Sequence, residues 1–300
     1  MKKQILLPFL LGLILPLMIL GVLIRMEKPS DGTVEESTAG TVSGTSISVQ
    51  GDDGLVVEMD MQDYLVRVVL AEMPVSFPEE ALKAQAVVAR TYASRRQQAE
   101  KHPQGTVCQQ ASCCQGYREE AAFLSAGGTE QALEKVRQAV ADTEGQVLTF
   151  EGELIDATYF SCSGGATEAA VAVWGTDVPY LQSVESPGEE EAAYYTEEMA
   201  FTAADFAACV GFENQGEPED WFSDISYTDG GGVDRITIRG QEYRGTRLRQ
   251  LLGLRSTVVE IRVDGNWIYI TTHGYGHRVG MSQYGAKAMA EEGKIGRAHV

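Results

Sequence analysis

One carboxylate has neighbours that suit acid catalysis. Glu72 lies in the stretch Leu70-Ala71-Glu72-Met73-Pro74, where most of its neighbours are apolar. Apolar surroundings disfavour the charged form of a carboxyl group, which is how glycosidases keep a general acid protonated. A Glu at a helix end is more often a solvated or capping residue, so the surrounding motifs must decide its role.

A second group of residues has metal-binding side chains. His102, Cys108, Cys113 and Cys114 lie within thirteen residues of one another. Three thiolates and an imidazole favour zinc, and four protein ligands would make the site structural rather than catalytic. The spacing is not that of a zinc finger. A disulfide such as Cys108 to Cys114 is therefore the alternative, and it is natural in an exported protein.

A glycine-rich loop near the end of the chain precedes several hydrogen-bonding side chains. Glycine lets backbone approach a ligand closely, and mixed donors and acceptors suit hydroxyl and acetamido groups. We predict substrate binding by His277, Ser282, Gln283 and Tyr284. Arg90 lies three helical turns after Pro78 and is expected to face a cleft and stabilise charge, with a helix-capping salt bridge as its alternative.

Helices are predicted where apolar residues recur at helical spacing. Pro74 ends the first pattern, and Pro78 with Glu79 and Glu80 suits the start of the second, whose inner stripe is small enough for close packing. The predicted helices are Asp60 to Met73, Pro78 to Arg96, Thr129 to Asp142 and Ser282 to Glu292.

Turn residues between β-type runs predict hairpins around Asp52-Asp53-Gly54, Glu151-Gly152-Glu153 and Asp264-Gly265-Asn266. The stretch from Glu189 to Asp220 is acidic and irregular, and we interpret it as a surface insertion or a small subdomain. The fold class is therefore α+β, a mixed α/β catalytic domain with a central cleft.

An apolar run precedes this domain. Ile5 to Ile24 contains no charged residue and is about long enough to span a bilayer as a single-pass helix. Lys2 and Lys3 then leave the N-terminus in the cytoplasm and the rest of the chain outside it. A cleaved signal peptide is the alternative, but no small-x-small cleavage site follows.

The expected organisation has four parts. Residues 1–25 form a cytoplasmic tip and membrane anchor, 26–45 a flexible linker rich in Gly, Ser, Thr and Glu, and 46–294 the catalytic domain. We interpret residues 295–300 as an artefact, because one reading frame of a common sequencing adaptor encodes them, and expect the natural domain to continue further. A net charge of -19 argues against nucleic acid as a partner.

Three blocks, in order, resemble the stage II sporulation protein D family. The first is Ala71-Glu72-Met73-Pro74 with Glu80-Ala81-Leu82-Lys83-Ala84-Gln85-Ala86-Val87-Val88-Ala89-Arg90-Thr91-Tyr92. The second begins Ser161-Cys162-Ser163-Gly164-Gly165-Ala166-Thr167, and the third is Gly274-Tyr275-Gly276-His277-Arg278-Val279-Gly280-Met281-Ser282-Gln283-Tyr284-Gly285-Ala286. Arg278 departs from the family, in which a glycine is typical.

The resemblance implies a lytic transglycosylase that cuts peptidoglycan glycan strands stripped of their stem peptides, with Glu72 as its acid and base. It also implies substrate binding by Arg90 and by Ser163, Gly164 and Gly165 of the second block. Some members of the family carry zinc in the loop that corresponds to 102–114, where Cys113 would replace a histidine ligand. No organic cofactor is expected.

The resemblance leaves two other functions open and names expected partners. Relatives of this domain act as enhancers of cell-wall amidases, so a non-catalytic peptidoglycan-binding module is the main alternative, and a zinc hydrolase is a third. The expected role is degradation of septal wall during engulfment in sporulation. The expected partners are glycan strands, a cell-wall amidase and a membrane protein of the engulfment machinery.

Overall fold

The first half of the chain forms three long helices and several short strands. A computed structural model describes residues 38–41, 46–99, 101–103 and 106–294. The elements of this half are β1 (Thr38–Thr41), β2 (Ser46–Gln50), β3 (Val56–Asp60), α1 (Met61–Glu72), α2 (Glu79–Gln98), β4 (Val107–Cys108), α3 (Glu120–Ser125), α4 (Glu130–Asp142), β5 (Gln146–Phe150), β6 (Glu153–Leu154), β7 (Tyr159–Phe160) and α5 (Ala170–Trp174).

Helices α1, α2 and α4 begin close to where the sequence predicts. Asp60 caps α1 by accepting a hydrogen bond from the Gln62 backbone, and Thr129 caps α4 in the same way through the Ala132 backbone. The small inner face of α2 is fully buried, with Leu82 and the neighbouring alanines inaccessible to solvent. Alanine on this face lets other elements approach the α2 backbone closely, so α2 lies at the centre of the first hydrophobic core.

Two small sheets flank these helices. Strand β2 pairs antiparallel with β3 and parallel with β4, and β5 pairs antiparallel with β1 and β6. The hairpins predicted at residues 52–54 and 151–153 are thereby confirmed. Strand β1 lies inside the segment predicted to be a flexible linker, so part of that segment belongs to the folded domain.

The second half has its own hydrophobic core. Its elements are β8 (Thr196–Thr202), α6 (Ala203–Val210), a 3-10 turn (Pro218–Asp220), β9 (Phe222–Tyr227), β10 (Val233–Ile238), β11 (Gln241–Arg244), α7 (Gly245–Leu252), β12 (Val258–Asp264), β13 (Trp267–His273), β14 (Met281–Ser282) and α8 (Gln283–Glu291). The sheets are β11-β10-β9 and β12-β13-β8, and Phe206, Trp221 and Leu248 are buried between them and the helices.

This arrangement corrects the prediction that the stretch from Glu189 to Asp220 is irregular, and of the two interpretations it agrees with the small subdomain. Residues 196–210 form a strand and a helix capped by Thr202, and Phe206 and Ala207 of this helix are buried in the second core. The subdomain also extends well beyond residue 220, through β13.

The third motif block packs against the first hydrophobic core. Strand β14 pairs parallel with β7, and Ala286 of α8 is buried beside α2. The predicted membrane anchor and the residues after 294 lie outside the described residues. Within the part of the chain that the structure describes, no helix has the length and apolar character needed to cross a bilayer. The mixed α and β character of the domain agrees with the predicted fold class.

Candidate active site

A cleft of about 570 Å³ lies where the three motif blocks meet. It is bounded by the end of α1, the last turns of α2, the cysteine loop, the segment around β7, and the glycine-rich loop before β14. The lining residues are Glu72, Tyr92, Arg96, Ala111, Ser112, Cys113, Cys114, Thr158, Tyr159, Phe160, Ser161, Tyr275, Gly276, His277 and Gln283.

Glu72, the last residue of α1, is half-buried in the cleft wall. The backbone N–H of Gly116 donates a hydrogen bond to its Oε1, and its backbone carbonyl accepts one of 3.0 Å from the Gln283 side chain. A Cβ at Gly116 would lie 2.9 Å from the Glu72 Oε1. The absence of a side chain there is therefore what permits this contact.

Three polar side chains form a network behind Glu72. The Gln115 amide nitrogen lies 3.3 Å from the Tyr159 hydroxyl, and its amide oxygen lies 3.5 Å from the hydroxyl of Tyr64. Burial raises the pKa of Tyr159 well above its ordinary value, and the charge of Glu72 and a hydrogen bond with Glu72 raise it further. Tyr159 is therefore a neutral hydroxyl beside the candidate acid, a role that no local sequence signal indicated.

His277 is enclosed by aromatic rings in the glycine-rich loop. It lies between Phe160 and Trp174, with ring centroids 5.7 and 5.5 Å away, and its Nδ1 accepts a 3.1 Å hydrogen bond from the Val279 backbone. Burial, followed by the positive charge of Arg249, lowers the pKa of His277 to about 4. The imidazole is therefore neutral at physiological pH and contributes a hydrogen-bonding wall rather than a charge.

The backbone conformation at Arg278 explains why a glycine suits this position in the loop. Its φ is +65°, in the left-handed region that favours glycine. The arginine is fully buried, pairs with Glu168 at 2.9 Å, and donates to the backbone carbonyls of Ser163, Ala166 and Gly230. It thus ties the third motif to the second motif and to the second subdomain.

Several residues predicted to bind substrate are engaged elsewhere. Ser163 is fully buried, and its hydroxyl accepts a hydrogen bond from the Gly165 backbone. A Cβ at Gly164 would lie 2.7 Å from the His273 carbonyl, so this glycine allows two loops to touch. Ser282 caps α8 by accepting from the Gly285 backbone, and the Tyr284 ring packs edge-on against Phe77.

Arg90 also lies away from the cleft lining. Its guanidinium is buried and donates to the backbone carbonyls of Val140, Thr143 and Gln146 at 3.3, 2.7 and 3.0 Å. Burial lowers its pKa to about 10, so it remains charged at physiological pH. Arg90 therefore caps the C-terminal end of α4. The alternative prediction of a helix-capping role is right in part, because the cap is formed with backbone carbonyls instead of a salt bridge.

The cysteine loop brings its four candidate ligands together. The ligand atoms of His102, Cys108, Cys113 and Cys114 all lie within 4.8 Å of one another, and His102 Nε2 is 3.2 Å from the Cys114 sulfur. The cysteines are free thiols, not disulfide-bonded. Tetrahedral zinc with bonds of about 2.0 to 2.3 Å requires ligand atoms about 3.5 to 3.8 Å apart. This donor set therefore fits zinc after small shifts, in which the 3.2 Å pair lengthens and the longest separations shorten.

The lining also contains residues to which the sequence assigned no site role. Arg96, which lines the cleft, was predicted only as the end of a helix. Gln115 and Gly116 lie behind the lining, next to Glu72, and they follow the cysteines without a recognisable pattern. No local sequence signal indicated Tyr159 or Phe160 either. These residues meet only when β7 pairs with β14.

Comparison with known proteins agrees with the three motif blocks. A family model described as "Stage II sporulation protein" matches residues 50–150. Stage II sporulation protein D of Bacillus subtilis (strain 168) is 37% identical over 284 residues, covering 91% of this chain and 82% of that protein. The protein of the same name from Bacillus amyloliquefaciens is 37% identical over 278 residues, covering 90% and 78%.

A more distant similarity connects the chain to a second kind of protein. The amidase enhancer of Bacillus subtilis is 29% identical over 280 residues, which cover 74% of this chain but 37% of that longer protein. The fold and the cleft define an α+β protein with one candidate acid beside a cysteine and histidine cluster. With the similarities above, this chain belongs to the stage II sporulation protein D family.

Proposed function

We propose that this protein is a lytic transglycosylase that cuts the bond between N-acetylmuramic acid and N-acetylglucosamine in glycan strands without stem peptides. The observation that carries the proposal is Glu72 in the cleft wall. Among the described residues that line the cleft, it is the one carboxylate. Glycosidases that use water or a covalent intermediate need two carboxylates, whereas an internal attack needs one.

The hydrogen bond from Gly116 assigns roles to the two oxygens of Glu72. A backbone N–H only donates, so Oε1 acts as an acceptor and the proton of the acid form resides on Oε2. Oε2 gives this proton to the glycosidic oxygen as the bond to the muramic acid C1 breaks. The resulting carboxylate then takes the proton of the muramic C6 hydroxyl, whose oxygen bonds to C1 and forms a 1,6-anhydro end.

The cluster of His102, Cys108, Cys113 and Cys114 is proposed to hold a structural zinc ion. Four protein ligands would leave no open position for water, so zinc would order the loop and supply no nucleophile. Zinc would thereby hold the backbone that leads to Gly116 and fix the position of Glu72.

The cellular setting is proposed from the family and the sequence. We infer that the N-terminal apolar run anchors the chain in the cell membrane and that the domain acts outside the cytoplasm. There it would degrade septal wall during engulfment, following a cell-wall amidase that removes stem peptides and assisted by a membrane protein.

The decisive experiment is cleavage of stripped glycan strands by the full chain in detergent. Mass spectrometry of the products should detect 1,6-anhydro-muramyl ends, and Glu72→Gln should abolish them. Full cleavage by Glu72→Gln would contradict the assignment of the acid.

The similarity to an amidase enhancer supports a second candidate function, a module that binds peptidoglycan and stimulates an amidase. Stimulation of an amidase by both the native chain and Glu72→Gln, with no anhydro ends from either, would favour this second function.

A further inference from the structure

Arg96 provides a positive charge in the cleft that the mechanism above does not use. It lies in the last turn of α2, and its side chain is 27% exposed. Its guanidinium carbon lies over the Tyr92 ring, 4.8 Å from the ring centre, where a cation is attracted to the aromatic face. Both residues line the same cleft as Glu72.

The hydrogen-bonding capacity of Arg96 is largely unused. Its Nε is buried and has no hydrogen-bond partner among the residues that the structure describes, and its contact with the carboxylate of Asp156 is a long 3.3 Å. Asp156 is held more closely by Arg95, at 2.9 Å and 3.1 Å. Two arginines and one aspartate leave one net positive charge at this end of α2, and Arg96 presents it to the cleft.

No other lining residue of the described chain offers a cation at neutral pH. The pKa of His277 is about 4, so this side chain is uncharged there. The protein as a whole has a net charge of -19, which repels anions unless a local cation attracts them. A guanidinium in such a cleft, with only a long ionic contact to Asp156 among the described residues, is suited to a carboxylate, which it can bind through two parallel hydrogen bonds.

Cell-wall glycan offers such a group at one place. Muramic acid has a lactyl ether that ends in a carboxylate when no stem peptide is attached, and in a neutral amide when one is. We propose that Arg96 binds the free lactyl carboxylate, an inference that rests on the proposed function for the class of substrate. Arg96 thereby makes the absence of a stem peptide a condition of tight binding.

The test compares two oligosaccharides that differ only at this group. One is a hexasaccharide of alternating N-acetylglucosamine and N-acetylmuramic acid with free carboxylates, and the other has each carboxylate converted to a methylamide. Binding to full-length Glu72→Gln in detergent is measured by calorimetry, so no cleavage takes place. The amide lacks the charged hydrogen bond to Arg96, so we expect the acid form to bind roughly 10- to 100-fold more tightly than the amide.

Variants then assign the preference to Arg96. Adding Arg96→Gln should remove the preference for the acid form, and Arg96→Lys should restore part of it. The matched control is Arg262→Gln, since Arg262 also stacks on a tyrosine, 3.8 Å from the Tyr269 ring, but in the second subdomain. It should leave the preference unchanged, and raising the salt concentration should weaken the preference only where Arg96 is present.

Three results would overturn the inference: equal affinity of Glu72→Gln for acid and amide, no measurable binding of the acid form, or a preference that persists in Arg96→Gln. The first two need no Arg96 variant, so a folding defect in one cannot conceal them. The proposed cleavage fails independently, when the native chain yields no anhydro ends although it prefers the acid form.

Discussion

The backbone N–H of Gly116 donates a hydrogen bond to the Oε1 of Glu72 across 44 residues of sequence. Gly116 follows the cysteine pair by two residues, so the loop with the candidate zinc ligands also positions the candidate acid. This relationship connects the two groups of chemically distinctive residues that sequence identified separately.

The contact predicts that Gly116→Ala impairs cleavage more than folding. A new Cβ would lie 2.9 Å from the Glu72 Oε1 and 3.2 Å from the Ala71 Cβ, so the carboxyl must move. A displacement of about 1 Å at a catalytic group can cost about 100-fold in rate. We expect kcat on stripped strands to fall by about 10- to 100-fold.

Gly54→Ala is the control for Gly116→Ala. Gly54 lies in a hairpin turn with φ of +78° and open space around it, so this variant loses stability without touching Glu72. An unchanged kcat in Gly116→Ala, or an equal loss in both variants, would contradict the positioning role.

Zinc removal should loosen the cysteine loop. If His102, Cys108, Cys113 and Cys114 hold zinc, the purified chain should contain about one zinc ion, and Cys108→Ser should contain none. We expect Cys108→Ser or chelation to lower the Tm by at least about 5 °C and to reduce cleavage, because zinc binding contributes to folding.

The same measurement distinguishes structural from catalytic zinc. A catalytic ion would give lost activity with an unchanged Tm after chelation, as the zinc-hydrolase hypothesis requires. Cys209→Ser is the control, because Cys209 is an exposed thiol outside the cluster.

The buried pair of Arg278 and Glu168 should be a major determinant of stability. Arg278→Ala would leave Glu168 buried at 2% exposure without its cationic partner, which typically costs about 3 to 5 kcal/mol. Arg278→Gly should lose about 1 kcal/mol less, since glycine relieves the backbone at φ of +65°.

Urea unfolding measures the effect of the Arg278 variants. In contrast, Arg235→Gln disrupts an exposed pair with Glu242 and should cost less than about 1 kcal/mol. A loss of similar size from Arg235→Gln and Arg278→Ala would refute the structural importance of the buried pair.

His277 should make stability depend on pH in the mildly acidic range. Its pKa is lowered from 6.5 to about 4, so between these values the unfolded chain binds the proton that the folded chain excludes. The contribution of His277 to stability is therefore fully present above about pH 6.5 and is lost as the pH falls toward 4, by up to about 3 kcal/mol.

Comparison with His277→Gln isolates this contribution. The free energy of unfolding is measured for both proteins at pH 7 and at pH 4.5. The carboxylates common to both proteins contribute equally to the two pH-dependent changes, so their contribution cancels when the changes are subtracted. The native chain should lose more stability than the variant over this interval. Equal losses would show that His277 does not titrate as its burial requires.

Local signals predicted much of the secondary structure. Helices α1, α2 and α4 follow their apolar periodicity and caps, and the hairpins occur at their turn residues. The prediction for the acidic segment from Glu189 was wrong because Phe206 is buried by strands that are distant in sequence, so the local composition did not reveal its place in a core.

The candidate site was predicted in part. Glu72, His277 and Gln283 line one cleft, together with two of the predicted metal ligands, Cys113 and Cys114. Arg90 and Ser163 belong to the same motif blocks but support backbone from buried positions. A sequence motif contains both residues that face the ligand and residues that support the backbone of the loop. The motif alone does not show which residues have which role.

The sequence by itself determined the family, the main helices, the identity of the candidate acid and the cysteine cluster, because these depend on residue type and short spacing. Only the tertiary structure decided that Gly116 holds Glu72, that Gln283 reaches it across 211 residues, and that Arg96 faces the cleft. Such contacts depend on how β7, β14 and α8 pack against α2. Packing is set by the whole core, so no local pattern encodes it.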